Sequence, residues 1–287
     1  MSKPLPKKLR ARWDALVATE GAGIGLSKCR VFLENKLVND IFYHGEFNGV
    51  PCVVKCSSRA PGSIRNEYEM SRRLSSVAPV CAEALAHWES ADRRMAFVVI
   101  RRLPGPSLTD ILARGVEQDE AVDILEDMVS IAEALQKSGI VWRDIIPDNF
   151  LLDADGHLKL IDAQFAIDRR DFHEDPYMLS HWKYRTLLFA HHPMMAGHGW
   201  NDVAMMLHFV RGLSRWELSH EVFNRLQSYA GTSAFPVKHG MIDYLGVFAV
   251  CLQLSGRLLF TLSRRKREVL RQRRMRTMRF LTGRTEW

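Results

Sequence analysis

Asp144, Asn149 and Asp162 stand in one run, Trp142-Arg143-Asp144-Ile145-Ile146-Pro147-Asp148-Asn149, then Phe150-Leu151-Leu152-Asp153-Ala154-Asp155-Gly156-His157-Leu158-Lys159-Leu160-Ile161-Asp162. An aspartate, an asparagine five residues on, a strand–turn–strand and a second aspartate place an acid and two hard oxygen donors on the two sides of one short hairpin. Each type has separate work in phosphoryl transfer. Asp144 is expected to accept the proton of an attacking hydroxyl, and Asn149 and Asp162 to hold magnesium against nucleotide phosphates.

That chemistry also needs a cation on the phosphates and a partner that aims it. Lys55 lies in the β-branched stretch Val50-Pro51-Cys52-Val53-Val54-Lys55-Cys56, just after the hairpin dipeptide Asn48-Gly49. Glu67 and Glu69 lie on the helix expected from Pro61 to about Leu74. Two positions apart on a helix point about 200° apart, so only one can face Lys55. Glu67, seven residues before the expected core anchor Leu74, is the choice. Singly, each of these residues has a plain structural reading: an edge lysine, a solvated glutamate, an Arg143–Asp144 turn pair, a turn asparagine, a strand-capping aspartate. Their order, spacing and element types together point to a site.

The elements that must position them follow from periodicity. Residues 30–33, 41–47, 50–56 and 95–100 read as strands. Arg101-Arg102-Leu103-Pro104-Gly105 reads as a hinge, with a short helix capped by Ser107 or Thr109 beyond it. Ala121, Ile124, Leu125, Met128, Ile131, Ala132 and Leu135 recur at helical spacing and end near Gly139. The remainder reads as mostly helical, with an irregular stretch over 168–199. Strands first and helices second predict an α+β chain in two lobes. The expected organisation is an extension at 1–29, jointed by Gly21, Gly23 and Gly25, a β-rich lobe at 30–103, a helical lobe at 104–263 and a basic tail at 264–287.

The composition allows a full core: 287 residues, 47% hydrophobic and 25% charged, which excludes whole-chain disorder. The net charge of +7 gathers at the ends, with Lys3, Lys7, Lys8, Arg10 and Arg12 at one and ten Lys/Arg residues from Arg264 to Arg284 at the other. Such ends suit an anionic partner. The tail interleaves its arginines with Val269, Leu270, Met275, Met278, Phe280 and Leu281, as in a basic amphipathic helix on an anionic inner-membrane surface or a charged helix docked on its own lobe. No nucleic-acid recognition motif accompanies it, so nucleic acid is not expected. Residues 244–262 are mostly apolar but contain Gln253 and Arg257, which favours a buried helix over a membrane span. Five cysteines without zinc-type pairing (Cys29, Cys52, Cys56, Cys81 and Cys251) and no apolar leader predict reduced thiols and a cytoplasmic chain. The stretch 168–200 carries Arg169, Arg170, His173, His181, Lys183, Arg185, His191, His192 and His198. It reads as an acceptor surface for an anionic glycan or as a solvated loop, without the spacing of a zinc site.

Beyond these residues, Val98-Val99-Ile100-Arg101-Arg102-Leu103-Pro104-Gly105 resembles the last strand and hinge of a kinase N-lobe, with Ile100 in the gatekeeper place. Residues 200–210, with Asn201-Asp202, resemble the buried helix that follows an activation segment. The chain thus resembles the protein-kinase-like superfamily over roughly 30–263, and within it is most similar to bacterial lipopolysaccharide core kinases, which phosphorylate heptose or Kdo. The resemblance implies ATP and Mg2+ as cofactors, adenine held by Ile100 and the backbone of Arg101 and Leu103, and a glycolipid hydroxyl as acceptor at the inner face of the cytoplasmic membrane.

The departures carry information too. The loop at 34–40 has no glycine to bring backbone amides onto phosphates, though Lys36 offers a side-chain charge. Trp142 replaces a histidine and is expected to pack. Asp162-Ala163-Gln164 lacks the phenylalanine and glycine that let this segment flip. Ile146 stands where serine/threonine kinases place a lysine. Arg101 and Arg102 occupy a hinge that is often acidic or neutral. These features leave open an atypical protein kinase, or a pseudokinase that binds nucleotide as a module.

Overall fold

The computed structural model describes residues 5–35, 40–58 and 61–171, with short pieces at 199–200, 202–203, 206, 224–226, 228–229 and 235–236. The chain divides into two compact units, Met1–Ile167 and Asp168–Trp287.

The first unit is built on a five-stranded antiparallel sheet: β1 (Leu26–Asn35), β2 (Asp40–Phe47), β3 (Val50–Ser57), β4 (Ala84–Glu89) and β5 (Ala96–Arg101), in the spatial order β1-β2-β3-β5-β4. Asn48 and Gly49 close the β2–β3 hairpin at φ 49° and 81°. Both left-handed φ values match a two-residue type I′ turn, whose twist suits the flanking strands. The strand β4 was not anticipated from the sequence. It is six residues long and its pairing with β5 shifts register between Ala84 and Ala86, which blurs its alternation.

Two helices cover the two faces of this sheet. Side chains alternate along a strand, so Phe97 and Val99 of β5 join Cys52, Val54 and Cys56 of β3 on one face, while Ala96 and Val98 join Ile64 on the other. Burial on both faces is why β5 reads as an unbroken apolar run. The first face is closed by α1 (Lys7–Gly23), which buries Trp13 and Val17 and lays Leu9 and Leu16 against the same cluster. Tyr43 donates to Asp14 at 2.9 Å, and Trp88 to Glu20 at 3.2 Å. The expected jointed extension is therefore corrected. Gly21 and Gly23 lie inside α1, and the helix forms because Leu9, Trp13, Leu16 and Val17 share one stripe at helical spacing. The second face is covered by α2 (Pro61–Val77), whose inner stripe Ile64, Glu67, Ser71 and Leu74 is buried throughout.

Past the hinge, Ser107 caps α3 (Leu108–Arg114) in a reciprocal capping box with Asp110. The helix α4 (Gln118–Ser138) buries all seven of its expected apolar positions and ends on Gly139 at φ 65°, a left-handed stop that glycine adopts without strain. After β6 (Ile140–Val141) come β7 (Phe150–Leu152) and β8 (Leu158–Leu160), an antiparallel pair. Asp127 of α4 accepts from the backbone of Leu158 at 2.6 Å, which fixes the hairpin to the helix. The described cysteines Cys29, Cys52, Cys56 and Cys81 are free thiols. Burial pushes Cys52 up to about 12 and Cys81 up to about 11, so both stay protonated.

In the second unit, Asp202, Val203 and Met206 are helical and buried, and Gly199–Trp200 pairs with Phe235–Pro236. Among the described residues no helix is long and apolar enough to cross a membrane. Lys36, the histidine-rich part of the expected acceptor segment (173–198), the apolar stretch 244–262, Cys251 and the basic tail 264–287 lie outside the described residues.

Candidate active site

Because Cys52, Val54 and Cys56 face α1, the pleat turns Lys55 to the opposite face, toward α2. Its Nζ lies 2.8 Å from Glu67 Oε2 and 2.7 Å from Asp162 Oδ1. Glu67 is 1% exposed and Glu69 is exposed, so the structure places Glu67, and not Glu69, against the lysine. Burial alone would lower the Lys55 ammonium, but Asp162 and Glu67 outweigh it and keep the group charged. Burial pushes Glu67 up to about 7. The pull of Lys55 opposes that rise, and the nearby Asp162 charge adds to it.

Asp144 and Asn149 are joined directly. The Asn149 amide donates to the Asp144 backbone oxygen at 3.0 Å and to its carboxylate at 2.9 Å. Pro147 starts the 3-10 turn Pro147–Asn149 that carries the asparagine back to the aspartate. The Ile161 N–H donates to the Asn149 carbonyl at 2.9 Å, so the end of β8 is fastened to the start of β7 and Asp162 follows on. Asp162 adopts a left-handed conformation, φ 67° and ψ 63°. Gln164 reaches its second carboxylate oxygen at 3.4 Å. Neither Gln164 nor Asn66, which donates to the carbonyls of Gln164 at 3.1 Å and Ala166 at 2.7 Å, was foreseen as a site residue. Asn66 acts through a contact between segments distant in sequence, which carries no local signal, whereas Gln164 reaches Asp162 from two residues away.

Trp142 is fully buried, as expected of a packing residue, and Arg143 is buried with φ 68°, donating to the Phe165 carbonyl. At the hinge, Ile100 packs beside Ile64, Ala84, Ala96 and Val98. The Arg101 side chain turns to Glu83 at 2.7 Å while its backbone N–H is held by the Glu83 carbonyl at 2.8 Å. The Arg102 N–H is held by Pro51 at 3.0 Å and its side chain is exposed. Among the described residues no hydrogen bond engages the Leu103 backbone. Gly105 lets the hinge approach β7: a Cβ there would lie 2.6 Å from the Leu152 carbonyl oxygen.

Among the described residues no group of three or more His, Cys, Asp or Glu side chains is gathered for a metal. Of the two residues expected to hold magnesium, Asp162 offers a carboxylate and Asn149 a carboxamide. Such a sparse oxygen set fits magnesium, which keeps waters and takes phosphate oxygens, better than an all-protein cage.

A sheet-borne lysine bridged to a helical glutamate and to an aspartate beyond a short hairpin, with a second aspartate hydrogen-bonded to an asparagine, defines a protein-kinase-like α+β fold. The relatives agree. Over 148 residues, half of this chain, it is 32% identical to the O-antigen chain terminator bifunctional methyltransferase/kinase WbdD of Escherichia coli. Over 96 residues, 33% of the chain, it is 30% identical to the serine/threonine-protein kinase LATS1 of Mus musculus. Over 156 residues, 54% of the chain, it is 29% identical to the cAMP-dependent protein kinase catalytic subunit PRKX of Mus musculus. These matches span 20%, 8% and 41% of the respective relatives. No family model matches the chain. Fold and relatives together support a likeness to the kinase-like superfamily.

Proposed function

We propose that the chain is an ATP- and magnesium-dependent kinase whose acceptor is a sugar hydroxyl of the lipopolysaccharide core, presented at the inner face of the cytoplasmic membrane. The observation that carries the kinase reading is Lys55 Nζ, 2.8 Å from Glu67 and 2.7 Å from Asp162. Glu67 holds the ammonium in place. Lys55 orients nucleotide phosphate oxygens. Asp144, held by Asn149, takes the proton of the attacking hydroxyl. Ile100 and the backbone of Arg101 and Leu103 receive the adenine. Asn149 and Asp162 are the residues that would hold magnesium, which neutralises charge on the transferring group when bound.

Three points support a glycan acceptor. Ile146 leaves no cation two residues after Asp144. The relative WbdD is by name a kinase of O-antigen chain termination. The expected acceptor segment and tail are basic, which suits an anionic glycolipid and an anionic leaflet. The matches to LATS1 and PRKX favour a second reading, an atypical protein kinase.

Purified protein incubated with γ-labelled ATP and magnesium, with either core glycolipid or a delipidated protein mixture, separates the two. Label entering glycolipid and absent with Asp144→Ala supports the proposal. Label entering protein alone supports the second reading. Label in neither, together with no thermal stabilisation by ATP under any metal condition, overturns both.

A further inference from the structure

Of the four backbone carbonyls after Asp162, those of Gln164, Phe165 and Ala166 are bound by side-chain donors. Asn66 Nδ2 lies 2.7 Å from the Ala166 oxygen, 3.1 Å from that of Gln164 and 3.4 Å from that of Ala163. Arg143 Nε donates to the Phe165 oxygen, the one Asn66 does not reach. A carboxamide has two N–H groups, so the two shorter contacts of Asn66 are its main bonds and the third is marginal. The donors come from separate elements. Asn66 is on α2, one residue before Glu67, and Arg143 is in the loop after β6, one residue before Asp144. Each therefore ties the backbone beyond Asp162 to a residue adjacent to another member of the site.

This tie answers a local difficulty. Asp162 is not glycine, yet it holds φ 67° and ψ 63°, a conformation that persists only where its surroundings fix it. The next residues are Ala163 and Gln164, and the backbone there is held by what binds its carbonyls. The Lys55–Asp162 contact of 2.7 Å and the Lys55–Glu67 contact of 2.8 Å also need α2 and the Asp162 segment at a fixed distance. Asn66 spans that same gap from the α2 side.

We propose that Asn66 is a positioning residue, which holds the Asp162 carboxylate in the place where it serves both Lys55 and a nucleotide-bound magnesium by fastening the carbonyls of Gln164 and Ala166 to α2. The inference rests on the kinase reading above. It predicts that loss of the donor weakens the metal-dependent part of nucleotide binding and leaves the metal-free part alone. Lys55 and the hinge supply the metal-free part, because Glu67 at 2.8 Å holds Lys55 independently of Asp162.

The test uses the full chain and compares wild type with Asn66→Asp, which keeps shape but turns the donor into an acceptor facing carbonyls. Affinity for ATP is measured by calorimetry in EDTA and again in magnesium, beside the unliganded Tm. The expected result is that Asn66→Asp loses about 10–100-fold of the magnesium-dependent gain in ATP affinity, the scale for groups that orient a metal ligand. Its affinity in EDTA should match wild type, and Asn66→Gln, which restores an amide donor, should recover part of the gain. A lowered Tm with the full magnesium gain intact would mean that Asn66 only braces the fold, which overturns the proposal. Should Asn66→Asp not fold, Asn66→Ser is read in the same way. Wild-type protein that binds ATP in neither condition overturns the kinase reading, and this inference with it. Wild type that shows the gain together with an unaffected variant overturns the inference alone.

Discussion

On the α1 side of the five-stranded sheet, Trp13, Tyr43, Val54, Phe97 and Val99 close over an apolar core. On the α2 side, a few ångströms through the same strands, Lys55 and Glu67 are buried as an ion pair beside Ala96 and Val98. The first arrangement stabilises by removing apolar surface from water. The second gives little net stability, because desolvating two charges costs about as much as their attraction returns. A fold that needed only a lid on this sheet would have placed apolar residues on both sides. The ion pair on one side alone is therefore better explained by the work of the site than by folding.

Substitutions on the two sides should separate along that line. The largest effect belongs to the site: Asp144→Ala should lower phosphoryl transfer by about 10²–10⁴-fold, the usual loss for a general base, with Tm nearly unchanged. A drop in Tm that accounts for the lost activity would break the contrast. On the other side, Trp13→Ala should cost about 3–5 kcal/mol of stability, read by denaturant melts, and leave ATP affinity intact below the melting range. Lost ATP affinity in folded Trp13→Ala protein would show that the two sides are not separable.

Glu67 sharpens the comparison through pH. Its carboxyl ionises near 4.5 in the unfolded chain and at about 7 in the folded one. Between those values the folded chain holds the extra proton, so the associated stability is complete below 4.5 and lost as pH rises to 7. Glu67→Gln carries no such proton, and its Tm relative to wild type should climb across that window. A flat difference would mean that Lys55 holds Glu67 ionised throughout. The smallest effect lies away from both sides: Ser107→Ala removes one helix cap and should cost about 1 kcal/mol with activity retained.

Much of the site was legible because its residues carry their roles in local pattern. Lys55 sits in a β-branched strand after a type I′ turn, and Asp144, Asn149 and Asp162 are spaced by one turn and one hairpin. Glu67 was readable from helical phase, since it shares a stripe with Leu74. Asn66 was not readable, because a carboxamide that binds carbonyls about a hundred residues away looks like any polar surface residue. The helix α1 was half legible: Leu9, Trp13, Leu16 and Val17 do repeat at helical spacing, but Gly21, Gly23 and Gly25 read as a flexible joint. The histidine-rich part of the acceptor side (173–198) and the tail lie outside the described residues.

The packing of α1 also has a consequence for synthesis. Trp13 is made before Phe97 and Val99 of the same core, which follow about 80 residues later. At about 5–20 residues per second, that interval is roughly 4–16 s. During it, the apolar stripe of the first helix has only β1, β2 and β3 to cover it, and β5, the strand that completes its core, follows β4. The nascent chain thus carries an incompletely covered apolar stripe until β5 has been made. The lysines and arginines around that stripe, Lys7, Lys8, Arg10 and Arg12, are placed to keep it soluble and to discourage self-association until the sheet closes.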